Sequence, residues 1–167
     1  LFVTEGKDHT TVEKFVIDFE NHNGKAENII QASCDMSPAF IKGIEDNLAN
    51  AEITFDRFHV MKKISTAVDE VRKEEVKSNP LLKNSKYIFL KNQENYTENQ
   101  KKKYDQIKLE GLNTKTFKAM EIRESFQQIY QSPNKIVFEI LLEDWLIWVS
   151  KSEIPQMVKV AKNIRKH

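Results

Sequence analysis

The sequence predicts a small α/β unit followed by a longer helical one, with helices dominating overall. Three observations carry this reading. Only four of the 167 residues are Gly and four are Pro, well under the roughly 12% usual in proteins, so obligate turns are few and helices long. Up to Asp56 short apolar runs alternate with helical patterns, whereas beyond it apolar residues recur every three or four positions. The charge divides at the same place. Residues 1–56 hold four Lys and eleven Asp or Glu, a net −7, and residues 57–167 hold 22 basic and 14 acidic residues, a net +8. The overall +1 is therefore a cancellation, which fits either two modules with different partners or solvated helix faces of differing charge.

Leu1 to Thr4 reads as the end of a strand closed by Glu5-Gly6. Asp8 or Thr10 can cap the next helix, since Thr10-x-x-Glu13 has the capping-box form, and Val12, Phe15, Val16 and Phe19 give that helix one apolar face before Gly24 stops it. Asn28 to Cys34 reads as a buried strand. Ser37-Pro38 is a cap and first-turn pair for a helix lined by Phe40, Ile41, Ile44 and Leu48. Ala51 to Phe55 is a further strand, ending at Asp56.

Beyond Asp56, the stripe Phe58, Met61, Ile64, Val68 and Val71 predicts one long helix to about Ser78, stopped by Asn79-Pro80. Tyr87 to Leu90 fits either a strand or a helical turn. Thr97-x-x-Gln100 is a second capping box, opening a helix through Lys108, and another helix carries Phe117, Met120 and Phe126 to Tyr130, with a break near Gly111. Ser132-Pro133 restarts the chain. The helix bearing Val137, Ile140, Leu141, Trp145 and Trp148 is the most apolar and is expected at the centre of the helical core, before a last amphipathic helix from Pro155 to about Lys166.

The single Cys34 excludes an internal disulfide and fits a cytoplasmic protein. The longest apolar run, Trp145 to Val149, is far too short to span a bilayer. No initiator Met or signal-peptide pattern opens the chain at Leu1, which fits an excised fragment. Gly-rich phosphate loops, serine-nucleophile elbows and zinc patterns are absent from the sequence, and His9, His22 and His167 make no metal-ligand spacing with His59.

Asp35 and Asp56 each stand where a strand should end, the place where α/β sheets gather ligands and catalytic groups. Carboxylates there are the donors that Mg²⁺ or Mn²⁺ takes, and two such ions can serve phosphodiester transfer. An Asp after a strand can equally cap the following helix. In Asp56-Arg57-Phe58-His59 a carboxylate three residues before an imidazole can orient it at a helix start. Basic residues cluster at Arg57, Lys62-Lys63, Arg72-Lys73, Lys101 to Lys103 and Lys159 to Lys166, fitting either phosphate contacts or solvated helix faces.

Taken together, Cys34-Asp-Met-Ser-Pro-Ala-Phe-Ile-Lys and Ala51-Glu-Ile-Thr-Phe-Asp-Arg-Phe-His-Val-Met-Lys62 resemble the ISL-three family of bacterial insertion-sequence transposases. The phrase Asp-Arg-Phe-His-Val, with an Asp about 20 residues before it, is the specific part. The resemblance implies a partial ribonuclease-H-like catalytic core in 1–60 and an all-helical insertion domain in 61–167. It implies DDE chemistry, in which two Asp and one Glu bind divalent metal for DNA cleavage and joining. Asp35 matches the second catalytic Asp and metal ligand, and Asp56 with His59 matches an Asp-x-x-His signature that supports the site. Arg57, Lys62, Lys63, Arg72 and Lys73 are then candidate DNA contacts, and the complete transposase is expected to self-associate. The first Asp precedes this stretch. Glu110-Gly111-Leu112-Asn113 has the form of the family's Glu setting, but two strongly apolar helices follow it, so the Glu is expected beyond His167 and the fragment alone is expected to be inactive. The alternatives are a non-catalytic helical DNA- or protein-binding module of transposase ancestry, or a scaffold pairing through Trp145 and Trp148.

Overall fold

Helix α1, Thr10–Asn21, is started by a carboxylate. Asp8 Oδ1 accepts from the Thr10 amide at 3.0 Å and from the Thr10 hydroxyl at 2.6 Å. Thr10 therefore lies inside the helix and turns back onto Asp8, and the capping box expected at Thr10-x-x-Glu13 does not form. The expected inner face holds: Val12, Phe15, Val16 and Phe19 are half-buried, with Phe15 and Phe19 stacked. The reversal after α1 falls on Asn23, at φ 64°, one residue before the expected Gly24.

The computed structural model describes residues 1–111 and 114–166, which divide into two compact units, Leu1–Val60 and Met61–His167. In the first unit, β1 (Gln31–Cys34) and β2 (Glu52–Phe55) pair in parallel, and α2 (Pro38–Asn47) connects them. The register runs from Gln31↔Glu52 to Cys34↔Phe55. Among the described residues the sheet has these two strands. Leu1 to Thr4, expected to be a strand, makes no ladder, and Phe2 packs edge-on against Phe15 at 5.8 Å. The strand expected from Asn28 begins only at Gln31, after a 3-10 turn at Ala26–Asn28, and it is not buried. Both strands alternate exposed and half-buried positions, as strands do when one face is uncovered.

The core of this unit is Met36, Ile44, Leu48 and Val60. Gly43 lets α1 and α2 meet there, because a Cβ at this position would lie 2.8 Å from Val12 Cγ2 and 2.9 Å from the His9 carbonyl. Gly43→Ala is thus expected to destabilise the unit by about 1–3 kcal/mol, overpacking outweighing Ala's better helix propensity. Urea unfolding checks this; an unchanged or raised midpoint would show that the helices separate without cost.

Helix α3, Arg57–Glu75, begins in the first unit and continues into the second. Its expected stripe is buried at Ile64, Val68 and Val71, but Phe58 is exposed at 68%, and on the first turn Val60 is buried in its place. Asn79 accepts from the Leu81 amide and Pro80 opens a 3-10 turn, which diverts the chain as expected. Tyr87 to Leu90 is helical, within α4 (Lys86–Leu90). The second capping box forms in both directions: Thr97 N–H donates to Gln100 Oε1 at 3.0 Å, and Gln100 N–H donates to Thr97 Oγ1 at 3.3 Å. It starts α5, Glu98–Gly111, three residues longer than expected.

α6, Lys115–Ile129, is the centre of the second unit. Thr114 caps it, and the carboxylate of Glu75 clamps its first turn, accepting from the Lys115 and Thr116 amides at 3.0 and 2.9 Å and from the Thr116 hydroxyl at 2.6 Å. Thr116, Phe117, Ala119, Met120, Ile122, Arg123, Phe126 and Ile129 are all buried. Arg123 is tolerated because its guanidinium donates to the Leu90 and Lys91 carbonyls and to Asn92. The central place had been expected for α7, Lys135–Ser150, yet only Trp145, Leu146 and Val149 of that helix are buried. α7 carries exposed acids among its many apolar residues and packs along one side, between α6 and α8 (Pro155–Arg165). Its cap is Asn134, accepting from the Val137 amide at 3.0 Å, and not Ser132, whose hydroxyl donates to the Ile129 carbonyl.

Candidate active site at the strand ends

The parallel pairing puts Asp35 and Asp56 side by side. Each follows the last registered pair, Cys34↔Phe55, and the Asp56 amide extends the ladder by donating to the Cys34 carbonyl at 2.9 Å. Both carboxylates then make the same local turn. Asp35 Oδ1 accepts from the Ser37 amide at 2.9 Å, starting α2, and Asp56 Oδ1 accepts from the Phe58 amide at 2.8 Å, starting α3. Ser37 itself makes no side-chain cap. The helix-capping and strand-end readings of these acids are accordingly both true of the geometry: one oxygen of each starts a helix at the mouth of the sheet.

The second oxygen of Asp56 accepts from His59 Nδ1 at 2.8 Å. Accepting at this carboxylate places the ring proton on Nδ1 and leaves Nε2 as the other working atom of the imidazole. The amide of Phe58, and next the imidazole of His59, hold the Asp56 carboxyl below the usual carboxylate range, so it is an anion at neutral pH. Asp56 and His59 side chains are each 43% exposed, open to a ligand.

A cleft of about 660 Å³ lies within the first unit, and Asp35 and His59 both line it. Ser33 and Cys34 contribute to its polar side, and Phe15 and Ile44 to its apolar side. Asp56 is not among its lining residues and reaches it only through His59. Burial, with the charge of Asp35 added, pushes the half-buried Cys34 thiol up, which keeps it protonated and unsuited to nucleophilic work.

The basic candidates fare differently. Arg57 and Lys62 are exposed on the first turns of α3. Lys63 donates to Asn163 Oδ1 at 3.2 Å. Arg72 is buried, its guanidinium paired with Asp69 at 2.8 Å and donating to the Leu82 carbonyl, and Lys73 meets the same Asp69 at 3.0 Å. Glu110 is exposed at the end of α5, while Leu112 and Asn113 of its motif, like His167, lie outside the described residues. Sequence reasoning missed Glu75 and Asp69, two acids that look like solvated helix positions until their partners, 41 and three residues away, are known.

The family model for the ISL-three (ISL3) type, described as a transposase, matches residues 1–167. The chain belongs to the ISL3 transposase family. No curated protein and no solved structure matches it. In this ISL3 chain Asp56 and His59 are joined by a formed hydrogen bond beside the sheet end. Among the described residues no three His, Cys, Asp or Glu side chains gather as a metal site, so these residues alone do not assemble one for Mg²⁺ or Mn²⁺. Asp35 offers one hard oxygen donor of the kind such ions take. No helix among the described residues is long and apolar enough to cross a membrane.

Proposed function

We propose that this ISL3 chain supplies the second catalytic carboxylate, Asp35, of a DDE-type site that cleaves and rejoins DNA for transposition. The observation that carries this is the placement of Asp35 just past the carboxyl end of β1, as Asp56 stands just past β2, and on the same cleft as His59. In this reading the first unit is part of a ribonuclease-H-like core and the second is a helical insertion domain. The further carboxylates that such a site needs are not among those gathered here. When bound, Mg²⁺ or Mn²⁺ supplies the charge that activates an attacking oxygen and stabilises the leaving one.

The chain's own residues have separable parts in this. Asp35 contributes one carboxylate oxygen to the site while the other keeps α2 in place. Asp56 is a positioning residue: it fixes the tautomer of His59 and, through the Phe58 amide, the start of α3. His59 lines the cleft, and its Nε2 is the ring atom able to accept a proton from a bound hydroxyl or, once the ring is protonated, to donate to a phosphate oxygen. The exposed Arg57 and Lys62 contact DNA phosphates, whereas Lys63 and Arg72 are engaged within the helical unit and Lys73, though exposed, is paired with Asp69. DNA is the partner, and the complete transposase self-associates on it.

The test uses the full-length transposase and a labelled insertion-sequence end. Strand cleavage is expected with Mg²⁺ or Mn²⁺ and is expected to vanish in EDTA, while a gel shift of the same DNA persists. Cleavage undiminished in EDTA refutes the metal-dependent reading. Binding without cleavage under any metal favours a non-catalytic DNA-binding module.

A further inference from the structure

The outer side of α7 is the least protein-like surface of the helical unit. Ile136, Ile140 and Ile147 are 70%, 58% and 42% exposed, and Leu141 and Trp148 are exposed beside them. At about 100° per residue the three Ile form one line, Leu141 and Trp148 a second, and Asp144 falls between the two. The second line opens on a groove of about 350 Å³ between α6 and α7, with Ile129 and Trp145 lining it and Ser125 and Gln128 on its polar side. Its floor is fixed: Trp145 Nε1 donates to the Ile122 carbonyl at 2.9 Å, and its ring packs edge-on against Phe126 at 4.7 Å. Trp145 is thus an internal residue and takes no part in pairing, while Trp148 stays accessible.

Charge says what such a face would take. Glu139, Glu143 and Asp144 are all exposed on α7, and between Lys135 and Lys151 the helix carries no cation. Asp144 stands on one side of the Ile line and Glu139 and Glu143 on the other, Glu143 already paired with Arg165, in a unit whose overall charge is basic. The fold already shows the matching chemistry, because α8 lies on the other flank of α7 as a basic amphipathic helix. α8 buries Met157 and Ala161, and its Arg165 pairs with Glu143. A second copy placed face to face would oppose acid to acid along the same apolar line, which costs affinity.

We propose that the α7 face and its groove dock an amphipathic helix of a partner protein, apolar on one side and edged with Lys or Arg. Leucine-like side chains of that helix lie along Ile136, Ile140 and Ile147. A basic side chain sits against Asp144 with its stem over the Trp148 ring. The proposal does not depend on the chemistry at Asp35.

The experiment uses the 1–167 chain and two synthetic helical peptides of about four turns, one of Leu and Lys in amphipathic order and one with Glu in place of Lys. Trp emission reports binding at Trp148. The Leu/Lys peptide is expected to bind and the Leu/Glu peptide not. Asp144→Lys and, separately, Leu141→Lys are each expected to weaken binding about tenfold or more, whereas Ile17→Lys, on exposed α1, leaves it unchanged. All three positions are at least 41% exposed or on the helix surface, so circular dichroism should report native folding. Equal binding of both peptides, or Leu/Lys binding unaffected by both α7 variants, overturns the proposal. So does sedimentation showing a dimer of the chain that Ile140→Lys dissociates, because a second copy would then hold the face.

Discussion

In the full-length transposase, Asp35→Asn is expected to lower strand cleavage and joining on the order of 10²–10³-fold, the cost of withdrawing one electrostatic stabiliser from a reacting centre, with end binding retained. Asn is the informative replacement because it separates the proposed chemistry of Asp35 from its structural part. Its Oδ1 accepts from the Ser37 amide at 2.9 Å and so starts α2, and an Asn side-chain oxygen can accept that same bond. What Asn removes is the negative charge. Asp35→Ala removes both, and should cost about 1 kcal/mol of local stability besides. A comparison of the two variants by thermal unfolding and by cleavage separates the roles: Asn keeps the fold and loses the chemistry, whereas Ala loses part of each. Wild-type cleavage by Asp35→Asn would leave the helix start as the whole purpose of this residue. It would also shift the search for the metal-binding acids away from β1.

The way Asp35 and Asp56 combine capping with strand-end placement shows how much of the site was legible in the sequence. The spacing Asp56-x-x-His59 fixes a contact that depends only on local helix geometry, and that contact is formed. The ends of β1 and β2 were legible for the same reason: short apolar runs stopped by an Asp. What the pattern could not supply is which side chain makes each cap. Ser37 looked like the start of α2 and Asp35 does the work; Ser132 looked like the start of α7 and Asn134 does it. Several polar groups near a helix start compete, and the backbone path decides among them. Burial was the harder quantity. α7 is rich in apolar residues around most of its circumference, so its composition could not say that one side stays open, and on the first turn of α3 it is Val60, not Phe58, that meets the core. Long-range polar partners were invisible altogether, as with Glu75 on the first turn of α6.

Asp69→Ala is expected to destabilise the helical unit by about 3–5 kcal/mol, the cost of leaving a buried guanidinium without its counter-ion. Asp69 and Arg72 are 6% and 9% exposed one turn apart on α3. Arg72 Nε donates to Asp69 Oδ1 at 2.9 Å and Nη1 to the Leu82 carbonyl at 3.3 Å, while Lys73 Nζ meets Oδ2 at 3.0 Å. Burial alone would raise the Asp69 carboxyl, but the hydrogen bonds from Arg72 and then Lys73 outweigh it and hold the group below the usual carboxylate range. The direction fixes the pH dependence. A carboxyl depressed in the folded state contributes its full stabilisation above its unfolded pKa of about 3.9, and this is lost as pH falls through the folded value. Urea midpoints of the wild type should therefore drop below about pH 4, and those of Asp69→Asn should fall less steeply, having no charge to lose. Parallel pH profiles would show that the pair is electrostatically idle. The double variant Asp69→Leu with Arg72→Met separates pairing from packing. It removes both charges together, so it should recover most of what Asp69→Ala loses, because the penalty lies in the stranded cation and not in the absence of an ion pair.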